Sequence, residues 1–279
     1  MNYRFKHNNL DISRPAVMGV LNLTPDSFYD GGKHFDEDAI LSRVQEQIKE
    51  GMKVLDIGGQ SSRPGAKAVT EAEELTRIWK IFTSIRTEFP DLIISIDTFY
   101  SSIARKTLAG GADIINDITG GSDPLMMDTV AEFDAGYIIM HMQGTPLTMQ
   151  NDPVYTDVIG EVSAFLRKKA AEAEHAGISK IFIDPGFGFG KSVEDNYTLL
   201  AGLGEFTRSG LPVVCGLSRK SMITKVLGTD PATSLNGTTV LNTIALIKGA
   251  CLLRVHDVRE ASEAIKIFHF ASHVNTIPA

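Results

Sequence analysis

The sequence predicts an α/β fold: one (β/α)8 TIM barrel spanning residues 1–279, with a short N-terminal hairpin or strand closing its bottom. Three observations predict it. Eight short, uninterrupted runs rich in Ile, Val and Leu recur along the chain, as parallel strands buried on both faces require. Longer segments with helical spacing separate them. Polar residues gather at the C-terminal ends of the runs, where a barrel builds its site. An open, doubly wound sheet is the alternative reading of the same alternation.

The elements follow in order. Residues 1–14 hold Tyr3 and Phe5 and supply the closing strand or hairpin. Ala16–Leu21 is the first barrel strand. In Phe35–Gly51, Ile40, Val44 and Ile48 are spaced by four and Gly51 closes the segment, which gives a helix with one apolar face. Val54–Ile57 is the second strand. Thr70–Phe89 opens with Thr70 and Glu73, a capping box, so a helix starts there. Leu92–Ile96, Asp113–Ile115 and Tyr137–Met140 are the next strands. Val154–Gly177 is an Ala- and Glu-rich helix ending in glycine. Ile181–Ile183 is a strand, Val193–Gly210 a helix and Val213–Leu217 a strand. Pro231–Gly249 is a helix, Cys251–Val255 the eighth strand and Val258–Val274 the last helix. No Pro-, Ser- or charge-rich linker interrupts this order, so it reads as a single domain.

Composition narrows the function. A chain of 279 residues, 43% hydrophobic, can bury a full core, and its net charge of −7 excludes a nucleic-acid surface, which must be basic. Cys215 and Cys251 both lie in apolar runs and read as buried thiols, not as a disulfide or metal pair. The stretch from Met1 to Pro15 lacks the apolar core of a secretory signal. No apolar run approaches the ~20 residues that span a bilayer. A soluble, cytoplasmic protein with no membrane partner is expected.

The strand ends carry Asn22, Asp56, Asp97, Asn116 with Asp117, His141, Asp184, Ser218 with Lys220, and Arg254 with His256. Polar groups so close to barrel strands are costly unless paired or used. Asp56 has an equally good structural reading, as an acceptor for N–H groups of its own loop. The run from Lys180 to Ile183 leads into Asp184 and then a loop with Gly186, Gly188 and Gly190 around Phe187 and Phe189. An acid beside flat aromatic surfaces suits a flat heterocycle with adjacent N–H donors.

The segments bearing these residues resemble dihydropteroate synthases along nearly the full chain. They are Val20 to Phe28, Asp56 to Ala66, Ser95 to Thr98, Asn116 to Ile118, Met140 to Gly144, Asp184 to Lys191, Ser218 to Ser221 and Arg254 to Val258. The Asn22 and Asp184 segments alone indicate a wider group of pterin-binding barrels. Ser218 to Ser221 and Arg254 to Val258 narrow it to the synthases. The resemblance implies condensation of 6-hydroxymethyl-7,8-dihydropterin pyrophosphate with p-aminobenzoate, giving 7,8-dihydropteroate and pyrophosphate in folate biosynthesis.

It also implies roles. Asp184 would accept two N–H bonds from the pterin edge, Asn116 would bond the neighbouring edge, and Lys220 the carbonyl side, with Met140 on the ring face. Asp97 would face N8–H and stabilise the pterin cation left when pyrophosphate departs. Arg254 and His256 would bind pyrophosphate, joined by Asn22 through a Mg2+ ion, and by Arg63 unless that residue pairs with Asp36. Asn22, Asp97, Lys220, Arg254 and His256 are thus the expected catalytic set. p-Aminobenzoate would meet Phe28, Ser62, Pro64, Phe187, the stem of Lys220, and Ser221 at a helix start. Sulfonamide fit would depend on those loops. Leu23–Lys33 and Gly58–Lys67 have the composition of mobile lids. His141 reads as a supporting group. Gln60 stands where the family pattern has Glu, and Ser62 where it has Thr. The resemblance further implies a homodimer formed by the later helices.

Two other functions use the same barrel. A methyltransferase from methyltetrahydrofolate to a corrinoid protein shares the acid–asparagine pterin site but has no use for Arg254, His256, Lys220 or the Ser62–Pro64 loop. A non-catalytic pterin-binding barrel would not need Asp97, Asn22 and Arg254.

Overall fold

The computed structural model describes residues 1–23, 29–30, 34–60, 69–145, 148–149 and 153–274. In chain order these form β1 (Asn2–Arg4), β2 (Asn9–Asp11), β3 (Ala16–Asn22), β4 (Tyr29–Asp30), β5 (His34–Phe35), α1 (Glu37–Glu50), β6 (Met52–Gly58), α2 (Glu71–Glu88), β7 (Ile93–Asp97) and α3 (Ser101–Ala109). Then come β8 (Ile114–Asp117), α4 (Met126–Glu132), β9 (Gly136–Met140), α5 (Val158–His175), β10 (Lys180–Asp184), α6 (Val193–Ala201), α7 (Gly204–Thr207), β11 (Val214–Cys215), α8 (Ser221–Leu227), α9 (Leu235–Ile247), β12 (Leu252–Val255) and α10 (Val258–Val274).

The eight apolar runs become one parallel sheet, ordered β10-β9-β8-β7-β6-β3-β12-β11. Its two edges meet: Ile183 bridges Val213 in parallel, and the Ile183 N–H donates to Pro212 O at 2.9 Å. That closure makes a (β/α)8 barrel, as the alternation predicts. The seventh strand is shorter than Val213–Leu217, because Gly216 and Leu217 already belong to the turn into α8. The expected helix over Val193–Gly210 is two helices. It breaks at Gly202, where a side-chain carbon would stand 2.4 Å from Ile159 Cδ1 of α5. Within the Leu23–Lys33 loop, β4 pairs antiparallel with β5, which lies just beyond it.

Strand periodicity then stacks the interior in layers. Met18, Val54, Ile93, Ile114, Ile138, Phe182, Val214 and Leu252 form one apolar cluster with Phe5, Leu10 and Ile12 from the N-terminus. The antiparallel hairpin β1–β2 therefore plugs the bottom, as expected. Tyr3 donates its hydroxyl to Ile181 O at 3.2 Å and meets the Phe182 ring edge-on at 5.1 Å. Two residues further along the same strands, the side chains on that face are Val20, Asp56, Ser95, Asn116, Met140, Asp184, Gly216 and Arg254. Apolar below and polar above, the barrel floor is built and its mouth is chemical.

The helices start where the sequence places caps. Asp36 caps α1 by accepting from Ala39 N at 3.0 Å, and Gly51 ends it with φ 108°. Thr70 and Glu73 form the expected capping box of α2. Both cysteines are free thiols, Cys215 buried and Cys251 half-buried. Among the described residues no helix is long and apolar enough to cross a membrane.

Candidate active site at the barrel mouth

The centre of the mouth is an arginine held between two acids. Arg254 Nε donates to Asp56 Oδ2 at 2.7 Å and its Nη2 to Asp97 Oδ2 at 2.7 Å. Asp56 is fully buried and also accepts from Ser95 Oγ at 2.7 Å and Asn116 Nδ2 at 3.2 Å. Asp56 thus has a wider role than its loop-bonding reading: it is the post that orients Arg254 and Asn116. Burial pushes the Asp97 carboxyl up to about 7, against the pull of Arg254 and with the push of Asp56 and Glu74. The guanidinium is desolvated by the same burial, yet Asp56 and Asp97 hold it firmly charged.

Opposite lies Asp184, at the end of β10. Burial raises its pKa, opposed by Lys220, the Gly186 N–H and Arg254. The Gly186 N–H donates to Asp184 Oδ1 at 2.7 Å. Lys220 Nζ donates to Phe187 O and sits 4.6 Å above the Phe189 ring centre. Burial lowers its pKa to about 8, with Asp184 opposing. Gly216 lies between the two cations: a carbon added there would stand in ordinary contact, 3.6 Å from Lys220 Nζ and 3.9 Å from Arg254 Cδ. Met140, Ile118, Met149 and Phe189 form a small apolar cluster beside the acid.

Two ties aim the cationic side. Arg219 adopts φ 58° and donates to Asp257 from Nε at 2.9 Å and Nη2 at 2.6 Å, fixing the turn that carries Lys220 to the exit of β12. His256 Nδ1 lies 3.1 Å from Ser218 Oγ, which also accepts from the His256 backbone N–H at 3.3 Å. Asn22 ends β3. A carbon added to Gly58 would stand 3.6 Å from both Asn22 Oδ1 and Asp97 Oδ2, so the two oxygens face one space across a glycine.

The structure thus gathers Asn22, Asp97, Asn116, Met140, Asp184, Lys220, Arg254 and His256 at one end. Ser221 begins α8 beside Lys220. Phe28, Ser62, Arg63 and Pro64 lie outside the described residues, and with them most of the two expected lid loops. Phe187, expected against p-aminobenzoate, has its side chain fully buried in the main apolar cluster. Positive φ at Gly186 and Gly188 turns the chain so that Phe189, not Phe187, presents its ring under Lys220. Asp117 accepts from Thr119, Gly121 and Tyr137 and belongs to its own loop. Ser95 escaped the sequence reading, although its place two residues before Asp97 on a barrel strand was a usable signal.

Known proteins are similar to this chain over nearly its whole length. Residues 18–256 match the family model described as pterin binding enzyme. The chain is 43% identical over 261 residues to the dihydropteroate synthase of Escherichia coli (strain K12), covering 93% of this chain and 92% of that one. To that of Haemophilus influenzae it is 44% identical over 261 residues, covering 93% and 94%. The solved Yersinia pestis dihydropteroate synthase with a sulfonamide drug complex superposes with TM-score 0.91 at 39% identity, covering 98% and 99%. The Xanthomonas albilineans enzyme in complex with 7,8-dihydropteroate does so with TM-score 0.85 at 38% identity, covering 97% of each chain.

Proposed function

This chain belongs to the dihydropteroate synthases of the pterin-binding enzyme family, and from that we propose how its residues join a dihydropterin pyrophosphate to p-aminobenzoate. The observation that carries the reading is the Asp56–Arg254–Asp97 chain facing Asp184 across the cavity. It sets a charged guanidinium where a leaving group must be held, next to an acid where positive charge must develop. A corrinoid-dependent methyl transfer would need neither.

Asp184 and Asn116 bind the aminopyrimidinone edge of the pterin, and Lys220 binds its carbonyl side. Met140 packs on the ring. With its hydroxyl accepting the His256 N–H, Ser218 has its own proton to give Nδ1. In the tautomer with Ser218 as donor, the ring proton is on Nε2, where it would donate to a diphosphate oxygen beside Arg254. Arg63 is a further candidate for that anion. As pyrophosphate leaves, Asp97 stabilises the positive charge spreading into the pterin ring. The aniline lone pair of p-aminobenzoate then attacks the methylene carbon. Its ring lies on Phe189 and the stem of Lys220, its carboxylate at Ser221 and the first N–H groups of α8; Phe28, Ser62 and Pro64 are candidates for the remaining walls.

Magnesium fits this donor set in one way. Among the described residues no group of three His, Cys, Asp or Glu side chains can hold a metal. Asn22 Oδ1 offers a single neutral oxygen beside Asp97, so diphosphate and water would supply the other ligands, the coordination Mg2+ prefers. Bound there it would neutralise the leaving group. We further propose that the whole chain acts as one unit, in the cytoplasm, as a homodimer. Six exposed apolar side chains on α8, α9 and α10 support the dimer: Val226, Leu227, Val240, Ile247, Ile267 and Phe270.

The test is pyrophosphate release by the purified protein with Mg2+ and the pterin pyrophosphate, with and without p-aminobenzoate. Release that rises with p-aminobenzoate and yields dihydropteroate is expected. Asp97→Asn should lower turnover by about two orders of magnitude or more while free-pterin affinity changes little. Turnover unchanged by that substitution would remove Asp97 from the reaction.

A further inference from the structure

Lys191 is 5% exposed and makes no ion pair with any acid among the described residues. Its Nζ is surrounded by four acceptors: His141 Nδ1 at 3.1 Å, His141 O at 3.3 Å, Gly186 O at 2.9 Å and Phe189 O at 2.9 Å. A buried ammonium with no acid in contact is costly, and burial lowers the Lys191 pKa to about 7, with the more distant Asp184 and Asp195 opposing. Such a cost is tolerated where the group orders something that will not order itself. The loop it touches is of that kind. Gly186, Gly188 and Gly190 take φ of 72°, 82° and 61°, and glycine has the most conformational freedom to lose.

We propose that Lys191 is a positioning residue for the condensation: its buried ammonium clips the exit of β9 to the loop after β10 and thereby sets the two groups that bind substrate. The geometry links each step. With Gly186 O and Phe189 O drawn inward to Nζ, the Gly186 N–H turns to Asp184 Oδ1. The Phe187 carbonyl turns outward to Lys220, and the Phe189 ring lies beneath that ammonium. Gly188 is tied separately, its N–H donating to Asn196 Oδ1 at 2.6 Å. His141 is the other jaw. Its ring is wedged against Phe165 at 5.0 Å, edge-on, and Tyr155 at 6.1 Å. Burial and Lys191 push its pKa down to about 3, so it stays neutral and can accept. Nothing in this clip touches Arg254, Asp56 or Asp97, which carry the leaving group and the developing charge.

The proposal rests on the synthase reading and makes a split prediction. Lys191→Met keeps the stem and removes the ammonium. KM for both substrates should rise about tenfold or more, the loss expected for one charged hydrogen-bonding group. The rate of chemistry at saturation should stay within about threefold, because Arg254 and Asp97 are untouched. Lys191→Arg, which restores a cation, should recover part of the KM loss. A residue needed only for stability would lower the active fraction, hence kcat, with KM unchanged, and that result would overturn the proposal. If Lys191→Met does not fold, His141→Phe decides: it removes one acceptor in an aromatic surround and should raise KM severalfold, unchanged KM being the contrary result. Absence of turnover in the unaltered protein would sink the synthase reading and this role together. Turnover with unchanged KM in the variants would sink this role alone.

Discussion

Glu74 shows how a side chain can be placed against its own ionisation. It is 1% exposed, and among the described residues neither carboxylate oxygen has a hydrogen-bond partner. Burial pushes its pKa up to about 7, with Glu71 adding to the shift and Thr98 and Arg77 opposing it. The Thr98 hydroxyl exerts its pull without reaching hydrogen-bond geometry. The stability consequence follows from the sign. Below the ordinary value of 4.5 the acid is protonated in both folded and unfolded chains and the shift has no effect. Between there and pH 7 the unfolded chain ionises while the folded one does not, so stability falls. Above pH 7 the loss levels off, at no more than about 3 kcal/mol at about 1.36 kcal/mol per pKa unit. Glu74→Gln is neutral at every pH. Its thermal midpoint should match the unaltered protein near pH 4 and exceed it above pH 7. A constant difference across that range would assign the effect to packing instead of charge.

Elements differ in how openly the sequence announces them. The eight strands were legible because each is a short apolar run buried on both faces, and the polar mouth because its residues stand two or four positions beyond the apolar layer. The helices α3 and α4 were not individually legible. They have 9 and 7 residues, and neither N-cap makes a side-chain bond. The N-terminus of α3 is satisfied from a distance, Ser101 N donating to Asp123 Oδ2 at 2.8 Å across 22 residues, which no local pattern records. The choice between Phe187 and Phe189 was equally hidden, because positive-φ glycines break strand alternation. In the same loop Lys191 looks like any surface lysine until its four acceptors are seen. The loop's geometry makes a clean comparison of two glycines. At Gly186 (φ 72°) a side-chain carbon would stand 1.9 Å from His141 O, whereas at Gly210 (φ 78°) nothing lies within 4 Å. Gly210→Ala should cost only the left-handed penalty of about 1–2 kcal/mol. Gly186→Ala should cost distinctly more and weaken pterin binding at least tenfold, since the carbonyl it strikes is the one Lys191 holds. Equal losses of stability in calorimetry would mean that φ alone, and not the contact, requires glycine at 186.

At the scale of the whole molecule, the barrel separates what must be rigid from what joins copies. The groups proposed to bind the pterin stand on strands β7, β8, β9 and β10, with Lys220 just before α8, and the strands are braced below by the apolar layer and the N-terminal plug. The large exposed apolar side chains lie elsewhere: six of nine among the described residues sit on α8, α9 and α10. On α9, Val240 and Ile247 are seven apart and share a face; on α10, Ile267 and Phe270 are three apart and do the same. Exposed apolar side chains of this kind on an acidic chain, net charge −7, favour a partner that also presents apolar surface, and a second copy does so by symmetry. The proposed interface and the proposed site would then meet in α8, which has 7 residues. Ser221 opens it at the cavity, and Val226 and Leu227 close it at the apolar face. Phe270→Asp with Val240→Asp should therefore convert a species of twice the protomer mass into one of protomer mass by light scattering. Free-pterin affinity, borne by strands apart from Lys220, should change less than KM for p-aminobenzoate, which should rise a few-fold as α8 loses its support. A protein already monomeric before substitution would refute the dimer, and a monomer with unaltered KM would show that α8 is held by the barrel alone.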